Sequence, residues 1–157
     1  MGNLPAGLRA VPAALRRLRP TRVDGTMAQM STPFAPAAKP MAFIVTRDRE
    51  RAKAFYGGVL GFPLAGEDPF AAVFDMNGTM LRVSTVEAHA PAAHTVLGWE
   101  VADIGAAVAT LAARGVTFTI YEGFGQDPQG IWTAPGSSNR VAWFLDPDGN
   151  NLSLTQF

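Results

Sequence analysis

The stretch that decides the fold is Thr46-Arg47-Asp48-Arg49-Glu50-Arg51-Ala52-Lys53-Ala54-Phe55-Tyr56, closed by Val59-Leu60-Gly61-Phe62. The carboxylate of Asp48 can accept the free amide hydrogens of a first helical turn, so the spacing predicts a helix over about 49 to 60. Ala52, Phe55, Tyr56 and Val59 recur at helical spacing and give it one packing face, and Gly61 stops it. The apolar run before it, residues 41–45, reads as a strand. Three strands are predicted after it, at 63–65, 71–76 and 80–85, the last two joined by the hairpin turn Asn77-Gly78.

Working outward, the pattern repeats. Residues 95–101 read as a strand, and Asp103 caps a second helix that runs through Ala107, Val108 and Leu111 to about Arg114 before Gly115. Residues 116–121 read as a strand, and 139–145 and 151–155 as a hairpin closed by Asp146-Pro147-Asp148-Gly149-Asn150. Pro147 presets that turn, and Gly149 or Asn150 can take positive φ. Asp48 and Asp103 lie 55 residues apart (103 − 48), the period of the duplication. The organisation expected is a first module over 39–87, an Ala/Pro-rich linker over 88–94 and a second module over 95–157. Neither module can bury one sheet face alone, so the two should associate.

Residues 1–38 differ in composition. Arg9, Arg16, Arg17, Arg19 and Arg22 face only Asp24, and prolines recur through the segment. We read it as a disordered basic extension. An Arg-rich, acid-poor segment also fits a targeting peptide, and Met27 and Met30 leave room for a later start codon.

Composition excludes several chemistries. The chain has no cysteine, which removes disulfides, thiolate metal sites and cysteine nucleophiles. Its two histidines, His89 and His94, fall in one Ala/Pro-rich stretch, so no histidine-rich site can form. The formal charge is zero, giving no global field for nucleic acid or an anionic membrane. No apolar run approaches the roughly 20 residues of a membrane span. No phosphate-loop or dinucleotide motif is present. A cytoplasmic protein with no cofactor is the expectation.

The capped-helix signature together with Asp146-Pro147-Asp148-Gly149-Asn150 and Leu152-Ser153-Leu154 resembles the vicinal oxygen chelate superfamily, which includes glyoxalase I, bleomycin-resistance proteins and extradiol dioxygenases. The resemblance covers about residues 39–157. It implies an α+β fold of two βαβββ modules forming an open, cup-shaped mixed β-sheet, and a homodimer. In enzymes of the family a divalent metal sits in the cup, held by His, Glu or Gln at four strand positions. Carried over one at a time, those positions fall on Met41, Arg82, Val96 and Ser153. A thioether is soft, valine offers no donor, a serine hydroxyl is weak, and a guanidinium repels a second cation. A one-residue register error would bring His94 or Thr95 nearer the Val96 slot and recover at most one good ligand.

Alternation along the strands extends the face carrying those positions to Phe43, Val45, Met80, Ser84, Gly98, Glu100, Asn151 and Thr155. Trp143 shares that environment, and Trp132 lies in a glycine-rich excursion over 123–131 that reads as a lid. The ligand-binding set expected is therefore Met41, Phe43, Arg82, Val96, Glu100, Trp132, Trp143 and Ser153, with no metal. Arg82 could recognise an anionic or carbonyl group and Glu100 could serve as a general base. The simpler reading pairs Arg82 with Glu100. Trp99 has the opposite parity and is assigned to the core. The function expected is a metal-independent small-molecule binder with a mainly apolar cup. The alternative is a metal-dependent lyase, isomerase or dioxygenase with displaced ligands such as His94, Glu100 and Glu122. A third reading, an interaction module pairing through an edge strand, stays open.

Overall fold

A computed structural model describes residues 34, 35 and 37–157. The extension read at residues 1–38 lies almost wholly outside the described residues. Lys39–Phe157 form one compact unit.

Within that unit β1 (Met41–Thr46) leads into α1 (Arg49–Lys53), which continues without a break as a π-helical stretch, Ala54–Val59. Asp48 caps α1 from an extended backbone, its carboxylate accepting from the Arg51 amide at 3.0 Å. Gly61 takes φ +82° and ends the helical segment, a conformation that a Cβ makes costly. β2 (Leu64–Asp68), β3 (Ala71–Met76) and β4 (Thr79–Thr85) follow. The second half repeats this with β5 (Leu97–Glu100), α2 (Ile104–Ala113), β6 (Phe118–Thr119), β7 (Ile131–Thr133), β8 (Arg140–Leu145) and β9 (Asn151–Gln156). Asp103 caps α2 as Asp48 caps α1, accepting from Ala106 N at 3.0 Å.

The sheets confirm the duplication. The first has the order β1-β4-β3-β2 and the second β5-β9-β8-β6, with β7 also pairing β8. In each module the first strand runs parallel to the last, and the remaining pairs are antiparallel. The two mixed sheets are separate hydrogen-bonded units and neither closes on itself.

One face of each sheet packs under the helical segments into a shared core. Ile44, Leu81, Val83, Ala72 and Phe74 of the first sheet join Ala142, Phe144, Leu152 and Leu154 of the second, with Phe55, Tyr56, Ile104 and Val108 from the helices. Fully burying side chains of this size contributes about 1.5–3 kcal/mol each, which is why the apolar alternation fixes the register. Trp99 joins this core, stacked between Phe62 at 5.6 Å and Phe144 at 6.4 Å, as its parity predicted.

Three boundaries depart from the sequence reading. β2 reaches Asp68 rather than stopping near residue 65, and a register shift between Leu64 and Gly66 marks a bulge within it. β6 is two residues long rather than six. Beyond it the Gln126 amide replaces a ladder, accepting from Tyr121 N and donating to the carbonyls of Thr119 and Gly130. The excursion read as a lid contributes a strand, β7, that lays Trp132 opposite Val141.

Candidate functional site

Cross-strand register puts Met41, Phe43, Arg82, Glu100, Trp132, Trp143 and Ser153 at strand positions, and Val96 immediately precedes β5. On the first sheet Met41 pairs with Met80 and Phe43 with Arg82, and Arg82 also stands opposite Val73. Phe43 is 65% exposed and Met41 also lies open, so this face is apolar around one cation. On the second sheet one row runs Gly98, Ser153, Trp143 and Thr119, and the next runs Glu100, Thr155, Val141 and Trp132. Val96 and Glu100 are exposed there, whereas Ser153 is buried. No hydrogen bond or ion pair among the described residues joins the Met41, Phe43 and Arg82 set to the second set.

Arg82 does not pair with Glu100. Its guanidinium donates to Asp68 Oδ2 at 2.7 Å, within its own sheet. The bulge in β2 is the reason: the slip between Leu64 and Gly66 inverts the alternation and turns Asp68 onto the Arg82 face. The hydrogen bond from Arg82, helped by the amides of Phe70 and Ala71, holds the Asp68 carboxyl below the usual carboxylate range. This ion pair is half exposed, so it fixes geometry more than it stabilises.

The second face carries a cluster larger than the sequence reading anticipated. Trp143 lies 6.2 Å from Trp132, 6.2 Å from Phe124 and 5.7 Å from Tyr121, and Phe124 reaches both Tyr121 at 5.4 Å and Trp132 at 6.4 Å. Tyr121 and Phe124 come from the loop after β6, and the strand alternation that singled out Trp143 would also have flagged Tyr121. Beside them Asn151 donates to the Tyr121 hydroxyl at 3.2 Å, while its own Oδ1 is buried with no hydrogen-bond partner. Ser153 closes tightly on β5: a Cβ at Gly98 would lie 2.6 Å from Ser153 Oγ, so a larger residue there would force the hydroxyl to turn away.

The signature Asp146-Pro147-Asp148-Gly149-Asn150 does different work. Asp146 is buried and accepts from four donors: the amides of Asp148 and Asn150, the Asn150 side chain, and the Tyr56 hydroxyl at 2.8 Å. Asp148 takes the Thr46 hydroxyl, the Arg47 amide and the Arg51 guanidinium. Asn150 donates to Val45 O and meets His89 of the linker at 2.8 Å. The turn of module two is thus bolted to β1, to the helical segment after it and to the linker. Burial alone would raise the Asp148 carboxyl; Thr46, the Arg47 amide and Arg51 outweigh it and hold it below the usual range. Burial first, then the Asp146 charge, pushes the Tyr56 phenol far above its ordinary value, so it stays neutral.

The chain matches the family model described as Glyoxalase/Bleomycin resistance protein/Dioxygenase superfamily over residues 38–154. It belongs to that superfamily. Among solved structures, a superfamily member from Sphaerobacter thermophilus DSM 20745 is 30% identical, with a TM-score of 0.60, covering 77% of this chain and 98% of that one. A glyoxalase/bleomycin resistance protein/dioxygenase from Nocardioides is 22% identical, with a TM-score of 0.60 over 79% of this chain and 85% of that one. One from Alicyclobacillus acidocaldarius is 19% identical, with a TM-score of 0.60 over 78% and 93%. The last two likenesses concern the fold. A comparison with curated proteins finds no significant match.

Membership raises the family's divalent metal. The four slot positions supply a thioether, a guanidinium already engaged by Asp68, a valine and a buried hydroxyl. His94, Glu100 and Glu122 are each exposed, and among the described residues no three His, Cys, Asp or Glu side chains gather. These residues do not fit the hard-cation site of the family. No described helix is long and apolar enough to cross a membrane.

Proposed function

We propose that this superfamily member binds a small molecule without a metal, seating a planar apolar part of it on the aromatic face of module two. The observation that carries the reading is the cluster of Tyr121, Phe124, Trp132 and Trp143 on the same sheet face as Ser153. Aromatic side chains supply large contact area and prefer offset or edge-on partners. Met41, Phe43, Arg82, Val96, Glu100 and Ser153 are the remaining members of the proposed ligand-binding set. Arg82, held by Asp68, offers its free guanidinium edges to a carbonyl or anionic substituent. We include a homodimer in the proposal.

Soaking crystals with a set of small aromatic fragments tests this. Density stacked on Trp143 is the expected result. Fragments found only against other surfaces would refute it.

A further inference from the structure

The turn between β3 and β4 carries chemistry of its own. Asn77 and Gly78 alone separate the paired Met76 and Thr79. They form the only Asn-Gly pair in the chain, and both are exposed. Asn77 takes φ +56° and Gly78 φ +95°, the pattern of a type I′ hairpin turn. A Cβ at Gly78 would meet nothing within 4 Å, so the space beside its amide is open. With no side chain of its own, Gly78 leaves that nitrogen unshielded.

The side-chain amide carbon of an asparagine is an electrophile within reach of the next backbone nitrogen. In this turn that nitrogen is engaged, since Gly78 N donates to Asp75 Oδ1 at 2.6 Å. Attack requires the nitrogen to lose its proton and develop negative charge. A carboxylate is far too weak a base to take an amide proton, and its own charge disfavours a second negative charge beside it. The hydrogen bond also aims the N–H at Asp75. The later asparagines are worse placed: Asn150 and Asn151 are buried, and Asn139 is followed by the bulky Arg140.

We propose that Asn77 is a site of spontaneous covalent modification, converting through a succinimide to aspartate and isoaspartate, and that Asp75 restrains the step. Gly78 N bonds to Asn77 Cγ, the Cγ–Nδ2 bond breaks, and Nδ2 leaves as ammonia with the proton from the Gly78 amide. Water then opens the ring. Cleavage of the new N–Cγ bond gives aspartate, and cleavage of the original peptide bond gives isoaspartate. Either product adds a carboxylate close to Asp75. Isoaspartate also puts an extra main-chain carbon into a turn with no residue to spare, and β4, which carries Arg82, begins directly after it.

The test is peptide mapping by mass spectrometry of the full chain after incubation in mildly alkaline ¹⁸O-water, with electron-transfer fragmentation separating aspartate from isoaspartate. Label should enter at Asn77 well before Asn139, Asn150 or Asn151, with isoaspartate the larger product. Asp75→Ala should convert several-fold faster than the wild type. Asp75→Asn, which keeps an acceptor and removes the charge, should also convert faster, and it separates loss of the charge from a loosened hairpin. Asn77 left intact while another asparagine converts, or conversion at Asn77 that is unchanged or slower in Asp75→Asn, would overturn the proposal.

Discussion

The two modules share one strand order, one capped helix and one buried alternation, yet their last hairpins end in opposite ways. Module one turns with Asn77 and Gly78, both exposed and both at positive φ. Module two turns with Asp146-Pro147-Asp148-Gly149-Asn150, three of whose side chains are buried against the other module. Their open faces diverge as well: one bears an Arg82–Asp68 pair among exposed apolar residues, the other a four-ring aromatic cluster. The core-facing residues must fill a shared interior, so both copies keep them apolar. The open faces and turns are free of that demand, and it is there that the two copies differ.

The comparison breaks most visibly at the turns. Asp146→Ala strands the Tyr56 hydroxyl and the Asn150 amide in the core and should cost about 4 kcal/mol in urea unfolding. Gly78→Ala, at φ +95°, should cost roughly 1 kcal/mol. Equal costs would mean that the two turns do the same work. On the open faces, Trp143→Ala should weaken binding of any fragment that stacks there by about 2 kcal/mol, roughly thirtyfold in Kd by calorimetry. Unfolding titrations should show Gly98→Ala destabilising by about 1.5 kcal/mol, since the new Cβ meets Ser153 Oγ, with Ser153→Ala restoring much of it in the double variant.

Acid sharpens the contrast further. Asp148 has a lowered folded pKa, so its contribution is present above the unfolded value near 4 and is lost as pH falls below it. Its partners Arg47 and Arg51 are half exposed, which limits the effect to about 1 kcal/mol. Melting curves from pH 6 to pH 3 should show a shallower acid decline for Asp148→Asn than for the wild type. The smallest effect belongs to module one: Arg82→Ala should leave the urea midpoint almost unchanged, because its pair with Asp68 is open to solvent.

Much of this was legible in the sequence. Asp48 and Asp103 announced both helices because a cap needs an acceptor at one position, and period-two alternation put Arg82, Trp143 and Ser153 on the open faces and Trp99 in the core. What escaped depends on breaks in that period. The bulge at Gly66 redirected Asp68, so the partner of Arg82 was misread as Glu100. The Gln126 side chain stands in for backbone pairing after β6, which hid both the shortness of that strand and the return of the chain as β7. Phe124 entered the aromatic cluster through that loop, where no periodic signal exists. The Asp146-Pro147-Asp148-Gly149-Asn150 motif was legible as a turn, but its grip on Tyr56, Thr46 and Val45 is a long-range contact that spacing cannot encode.

The proposal that stands or falls first is metal-free binding on a superfamily scaffold whose expected slots, Met41, Arg82, Val96 and Ser153, offer no hard-cation ligand set. Elemental analysis of the full chain, purified without chelator and dialysed exhaustively, tests it most directly. The account predicts substoichiometric Mn, Fe, Ni and Zn and unchanged fragment binding after chelator treatment. One divalent ion per chain that survives dialysis, and whose removal abolishes binding at Trp143, would contradict it.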